Sequence, residues 1–360
     1  LAMTKKGDTL TFDFTGSSEQ SKYGINCAYW AAWGGFFAPL FPLLCYDITW
    51  NDGVLRPISM IAPEGTIVNC TRPAPISLAT VGAIQSVNNA ACVCISKMLS
   101  ASEKYAKEAT AVWHGSHFAI FMFGQNQKGQ EAIGIMTETF GGAGGGRSYA
   151  DGVDVGGEIP NPIGRMANVE TTENHFPVRY LFRRATVDSG GPGKYRGGTG
   201  LEYAVQQHDA PDGGIHYVVS GKGTKFSMSD GLGGGYPGAP CNYRWVHNNE
   251  AAAEGKNVNP FATSTEQMTG EQQSGSWGVF PLMDQDVLYV RSDGGGGYGD
   301  PLAREPEKLA RDVRHGSVSA GVARNVYGVV LDAAGEVDVA ASEAARAAIR
   351  AGRLGQEAAE

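Results

Sequence analysis

The sequence predicts an α+β fold, with a long early helix and an apolar segment ahead of a β-rich C-terminal half joined by Gly/Pro loops. Periodicity is the first observation behind this. Between Ser77 and about Lys107, Val81, Ile84, Val87, Ala91, Ile95 and Leu99 recur every three or four residues, which puts them on one helix face. The second is the β-branched and aromatic content of Leu201–Gln206, Ile215–Ser220 and Val287–Arg291. The third is glycine, 51 in 360 residues with no collagen-like period, which calls for many turns.

These patterns divide the chain into an α+β part (1–125), a β-rich part with Gly-rich loops (126–335) and a solvated helical tail (336–360). In order, Asp8–Phe14 alternates as a strand does, and Asp13-Phe14-Thr15-Gly16-Ser17-Ser18 turns out of it. Cys27 to Cys45 is nearly all apolar, but Gly34-Gly35, Pro39 and Pro42 are expected to break it, and no cationic flanks accompany it. It reads as a buried segment or subunit interface, not a membrane span. Asn51-Asp52-Gly53 turns into a strand–turn–strand unit over Leu55–Asn69. The helix from Ser77, which can cap it, follows. Val112–Phe123 reads as a strand on which His114 and His117 point to opposite faces. Core or pocket histidines are therefore expected there, and no metal pair. The polar stretch 248–276 reads as an exposed excursion, and Pro306–Arg314 as a short helix stopped by Gly316. In the tail, Glu343 and Arg346 are spaced to pair at i,i+3.

A formal charge of −8 and no basic run argue against nucleic-acid binding. Six cysteines without paired zinc spacing read as reduced core thiols, which favours a cytoplasmic protein. The opening residues are not a signal peptide, and a chain that starts with Leu and enters a strand at once looks cut from something longer.

Two segments hold candidate chemistry. In Ala185–Leu201, Asp188, Lys194 and Arg196 stand among six glycines and a proline, a composition that nearly excludes helix and leaves turns with exposed N–H groups able to close around an anion or a partner's backbone. Upstream, Glu170, Glu173 and His175 fall within six positions. Taken alone, a solvated hairpin and a surface carboxylate pair account for both. Gly141–Gly146 with Arg147 lacks the Gly-Lys-Ser/Thr ending of a P-loop, so it reads as a loop bordering a substrate site.

Both segments resemble the core signature of the hydantoinase B/oxoprolinase family. The resemblance runs through Val169-Glu170 to Pro177, Tyr180-Leu181-Phe182 and Asp188 to Gly200. It extends to Asp13–Ser17, Ala62–Asn69 and Gly294–Pro301, and so covers about residues 8–331. It implies that the chain is the C-terminal portion of a larger subunit, whose missing N-terminal half holds the metal ligands. It also implies a hydantoinase A-like partner that binds ATP, within a hetero-oligomer. The implied activity is hydrolysis of a cyclic amide (hydantoin, oxoproline or lactam) that the partner has phosphorylated. Carboxylation of a ketone of the acetone or acetophenone type is the alternative, and a non-catalytic scaffold a further one. Where the hydrolase branch has Pro-Pro-x-Gly-Leu this chain has Ser227–Leu232, a departure that favours the carboxylase. A hydrolase needs a group to orient water and donors to steady an oxyanion or phosphate. Glu170, Glu173 and His175 are the candidates for the first task. Arg147, Lys194 and Arg196, with Asp188 beside them, are the candidates for the second. No metal site is expected in this chain.

Overall fold

The computed structural model describes residues 1–49, 51–116, 119–162, 164, 166–211, 214–220, 222–247, 271–273, 278–284 and 286–357. The architecture is mixed α+β. It begins with β1 (Ala2–Lys6) and β2 (Thr9–Asp13) in antiparallel register, with β3 (Ile58–Ile61) parallel to β2.

Between these strands lies α1 (Tyr29–Leu44), which corrects the expectation that Gly34-Gly35 and the prolines break the apolar run. Pro39 and Pro42 sit inside the helix, although each removes a backbone hydrogen bond at a cost of about 3 kcal/mol. Burial outweighs that cost. Phe36, Leu40 and Leu43 are buried, and Phe36 stacks on Phe12 of β2 at 4.3 Å. Gly35 lets the next helix come close, since a Cβ there would lie 2.9 Å from Val87 Cγ1. No helix among the described residues is long and apolar enough to cross a membrane.

The helix expected over 77–107 is shorter. A π-helical turn (Thr80–Ile84) precedes α2 (Gln85–Ser100), and a 3-10 turn (Ala106–Glu108) follows it. The break is at Gly82, whose φ −93° and ψ −108° leave the helical region. Its carbonyl accepts from Lys222 Nζ, and Ile25 packs on the turn closely enough that a Cβ at Gly82 would lie 2.8 Å from Ile25 O. Tertiary contacts therefore set the start of α2, and Ser77 does not cap it.

The strand expected over Val112–Phe123 is confined to β4 (Ala119–Gln125). His114 lies before it in irregular chain with φ +37°, so the opposite-faces argument does not apply to it; His117 is outside the described residues. Next come β5 (Glu131–Ile135), the short pair β6 (Gly157–Glu158) and β7 (Asn161–Pro162), and α3 (Val169–His175). The strands β8 (Val178–Ala185), β9 (Leu201–Gln207), β10 (Ile215–Ser220), β11 (Asn242–His247), β12 (Glu271–Gln273), β13 (Gly278–Leu282) and β14 (Val287–Arg291) complete the β-rich part. Of the stretch 248–276, all but β12 lies outside the described residues.

Two antiparallel sheets result, in the orders β13-β10-β4-β5 and β12-β11-β14-β9-β8. Alternation along the strands points one face of each into a shared core. Ile120, Met122 and Tyr217 enter it from the first sheet, and Tyr203, Val205 and Leu288 from the second. Strand β9 shows the period, since Ala204 between Tyr203 and Val205 packs into a separate cluster on the other face.

The chain closes with α4 (Pro306–Arg314), α5 (Ala320–Asn325), the pair β15 (Val330–Leu331) and β16 (Val337–Asp338), and α6 (Val339–Glu357). Gly316 ends α4 with φ +73°. In α6, Ser342 is buried and bonded to Val330. Arg346, spaced to pair with Glu343, donates to the carbonyl oxygens of Arg304 and Tyr327.

Candidate functional site

The glycine-rich loops meet one another. Extended stretches of the loops 141–147, 188–200, 229–238 and 293–299 lie side by side at the ends of the sheets, joined by backbone hydrogen bonds. Gly146 N donates to Gly296 O, Gly198 N to Gly144 O, Gly191 N to Gly295 O and Gly297 N to Tyr236 O. The spacing admits no side chain: a Cβ at Gly197 would lie 1.9 Å from Gly295 O, and one at Gly295 2.0 Å from Gly144 O. Exposed amides in Ala185–Leu201 are expected to close around an anion or a partner's backbone. Those of Gly191, Gly197, Gly198 and Gly200 are all spent inside this array.

The charges of that segment separate. Asp188, at φ +59°, accepts from Ser319 N at 2.7 Å and ties the loop to the start of α5. Arg196 is buried and donates to both carboxylate oxygens of Asp154, with Asp312 3.4 Å from its Nε. Arg304, fully buried, continues the network by donating to both oxygens of Asp151 and to Asp312. Burial works against these carboxylates, yet the guanidinium groups and backbone N–H donors leave Asp151 and Asp154 below the ordinary range. Lys194 is exposed, its ammonium over the Tyr195 ring. Arg147 is half-buried against the Trp113 ring and bonds Tyr149 Oη.

Glu170, Glu173 and His175 lie along α3 without converging. Glu170 is exposed; Glu173 accepts from Tyr180 N at 2.7 Å, a tie between α3 and β8; His175 Nε2 lies 3.4 Å from Ile133 O. The buried carboxylate nearby is Glu138, held by Tyr180 Oη at 2.6 Å and Arg183 at 2.8 Å.

Two further groups have little sequence signal. His114 Nδ1 lies 2.7 Å from Asp293 Oδ1, and its Nε2 3.7 Å from Glu158, all three side chains buried. Ser229 Oγ and Ser116 N donate to Asp293 Oδ2. Burial disfavours the imidazolium, but the charge and hydrogen bond of Asp293, with Glu158, outweigh it and raise His114. Burial likewise opposes the Asp293 carboxylate, and His114 with the serine donors brings it below the ordinary range. Both shifts favour the ionised pair.

The second group is Lys222. It borders a cavity of about 780 Å³ between the π turn and the 22–25 segment, walled by Ile25, Ile67, Val68, Leu78 and Val81. Its Nζ donates to Gly82 O at 3.1 Å and Ser86 Oγ at 2.5 Å. Lys222 is half-buried, and its withdrawal from water pushes its pKa down to about 7, with Asp293 pulling the other way. In sequence Lys222 stands between two glycines and reads as a loop lysine; only the fold brings it to the helical turn. Among the described residues, no group of three His, Cys, Asp or Glu side chains is placed to hold a metal ion.

The hydantoinase B/oxoprolinase family model matches residues 1–301. The acetophenone carboxylase delta subunit of Aromatoleum aromaticum is 28% identical over 352 residues, which cover 92% of this chain and 50% of the relative. The caprolactamase subunit beta of Pseudomonas jessenii is 28% identical over 340 residues, 92% of this chain and 53% of the relative. The nucleotide-free structure of acetone carboxylase, an enzyme of ATP-dependent acetone carboxylation, superposes with a TM-score of 0.87 at 30% identity, over 98% of this chain and 48% of that one. The chain thus spans about half the length of the curated relatives it matches.

Proposed function

The chain belongs to the hydantoinase B/oxoprolinase family, and from that premise we propose that it is part of a subunit of an ATP-dependent enzyme that carboxylates a ketone. The observation that carries this is the agreement with acetone carboxylase along 98% of the chain at a TM-score of 0.87. The departure at Ser227–Leu232 points the same way.

The chemistry makes demands that this chain suits. A ketone is a poor carbon nucleophile at neutral pH, and phosphorylating its oxygen with ATP gives an activated species that water must not reach before the carboxylating species does. ATP is assigned to a hydantoinase A-like partner. The resemblance assigns the metal ligands to the remaining half of the subunit. This chain contributes a rigid, water-excluding wall. Its glycine array fixes four loops against one another without side chains, and the Arg196–Arg304 network locks that array to the C-terminal helices.

Among the anion-binding candidates, Arg196 is buried and bonded to Asp154 and the Gly197 carbonyl, and Asp188 holds α5, so both act as scaffold. Arg147 and Lys194 are the side chains proposed to meet a phosphate. Hydrolysis of a cyclic amide is the second reading, favoured by the caprolactamase relative. There Glu170 or His175 would orient water, under cover of a part outside this chain.

The test is ATP turnover by the complex reassembled with its partner and the remaining half. Turnover that needs both bicarbonate and a ketone supports carboxylation. Turnover that needs a cyclic amide and ignores bicarbonate overturns it in favour of hydrolysis.

A further inference from the structure

We propose that the cavity beside Lys222 binds a small organic monocarboxylate with an apolar body, the carboxylate on Lys222 and the body against Ile25, Ile67, Leu78 and Val81. The described residues lining the cavity include two lysines, Lys22 and Lys222, two serines, Ser77 and Ser86, and no carboxylate. A site with cations, hydroxyls and aliphatic walls complements one class of molecule: an anion at one end of a hydrocarbon.

The geometry at Lys222 leaves room for such a ligand. An ammonium has three donors, and Gly82 O and Ser86 Oγ take two, so one hydrogen remains for a ligand oxygen. Lys22 is exposed at the rim, its ammonium over the Tyr23 ring. Among the described residues, the charged groups that face Lys222 are Lys22 across the opening and Asp293 behind the wall, the latter paired with His114. Partial burial of Lys222, with no carboxylate among the described lining residues, disfavours its charge, and a bound anion supplies a partner. Binding therefore takes up protons near neutral pH.

The lining also discriminates between products. Ring opening of a lactam leaves an ammonium as well as a carboxylate, and no acid among the described lining residues receives it. Carboxylation of a ketone leaves a 3-oxo acid with a single negative charge and an apolar body. Naming that acid rests on the carboxylation reading; the existence of the site does not.

The test is calorimetric titration of the assembled complex, without ATP or bicarbonate, using hexanoate, hexanamide and 6-aminohexanoate as probes. Hexanoate should bind with proton uptake, seen as a dependence on buffer ionisation enthalpy, and should weaken at least tenfold between pH 6 and pH 9. Hexanamide and 6-aminohexanoate should bind at least tenfold more weakly. Lys222→Met should lose at least tenfold, and Lys222→Arg should retain binding. Equal affinity for hexanamide and hexanoate, or an unchanged affinity in a folded Lys222→Met complex, would overturn the proposal. Should Lys222→Met fail to assemble, the wild-type series decides alone, and a flat pH profile without proton uptake overturns the site. A complex that binds hexanoate as expected yet fixes no bicarbonate would keep the site and remove the carboxylation reading.

Discussion

Asp293 meets His114 with 2.7 Å between Oδ1 and Nδ1, and neither side chain reaches solvent. The contact joins the chain just after β14 to the irregular chain before β4, and Ser229 and Ser116 complete the carboxylate's shell. The pair therefore closes three loops around one buried carboxylate.

Its pH dependence has a definite sign. Asp293 is lowered, so its contribution is present above the ordinary Asp range and is lost as pH falls through the depressed value. His114 is raised, so its contribution is full below the ordinary His value of 6.5 and is lost as pH rises through the raised one. Together they stabilise most between about pH 4 and 6.5. Asp293→Asn strands an imidazole among groups built for a charge and should cost about 3–5 kcal/mol. Urea denaturation at pH 3, 5.5 and 9 checks this. The gap between wild type and variant should be widest at pH 5.5, and an equal gap at all three values would refute the assignment.

The glycine array predicts opposite outcomes for two chemically identical substitutions. Gly295→Ala places a methyl 2.0 Å from Gly144 O, backbone that cannot give way without separating the loops. It should destabilise by more than about 3 kcal/mol or prevent folding. Gly34→Ala, on the exposed side of α1 with open space at its Cβ, should stabilise by about 0.5–1 kcal/mol. Thermal melts of the two variants settle the comparison.

Arg304 holds two carboxylates from different parts of the chain, Asp151 and Asp312. Lysine cannot reproduce that fork. Arg304→Lys should cost about 3–5 kcal/mol, as the loss of a buried charge partner does. Hydrogen exchange should speed up first in α4 and in the 188–200 loop. Uniform exchange changes across the chain would show that the network does not hold this junction.

How much of this was legible in the sequence depends on whether the determinant is local. The face of α2 follows from its own spacing, and β9, β10 and β14 from their own residues, so all were expected. In α1 the local signals of two glycines and two prolines pointed to a break, and only its burial against Phe12 and Val87 reverses them. The glycine loops were recognised, but their role was not. An extended Gly-rich strand reads alike whether its amides meet an anion or another loop. Lys222 and the His114–Asp293 pair unite residues more than a hundred positions apart, which no local pattern encodes.

The trio on α3 separates by the same reasoning. Glu173 anchors Tyr180 N, so Glu173→Ala should cost about 1–2 kcal/mol. Glu170 is exposed, and Glu170→Ala should leave both stability and ketone-dependent turnover near wild type. A loss of that ketone-dependent turnover beyond a hundredfold with stability intact would put Glu170 in the chemistry.

The most direct test of the central claim is the fate of bicarbonate carbon. The complex should be supplied with ¹³C-bicarbonate, ATP and a methyl ketone, and the products read by NMR. Carboxylation predicts the label in the carboxyl carbon of a 3-oxo acid, formed only while ATP is consumed. ATP consumed with no label in any acid, together with ring opening of an added lactam, would contradict it.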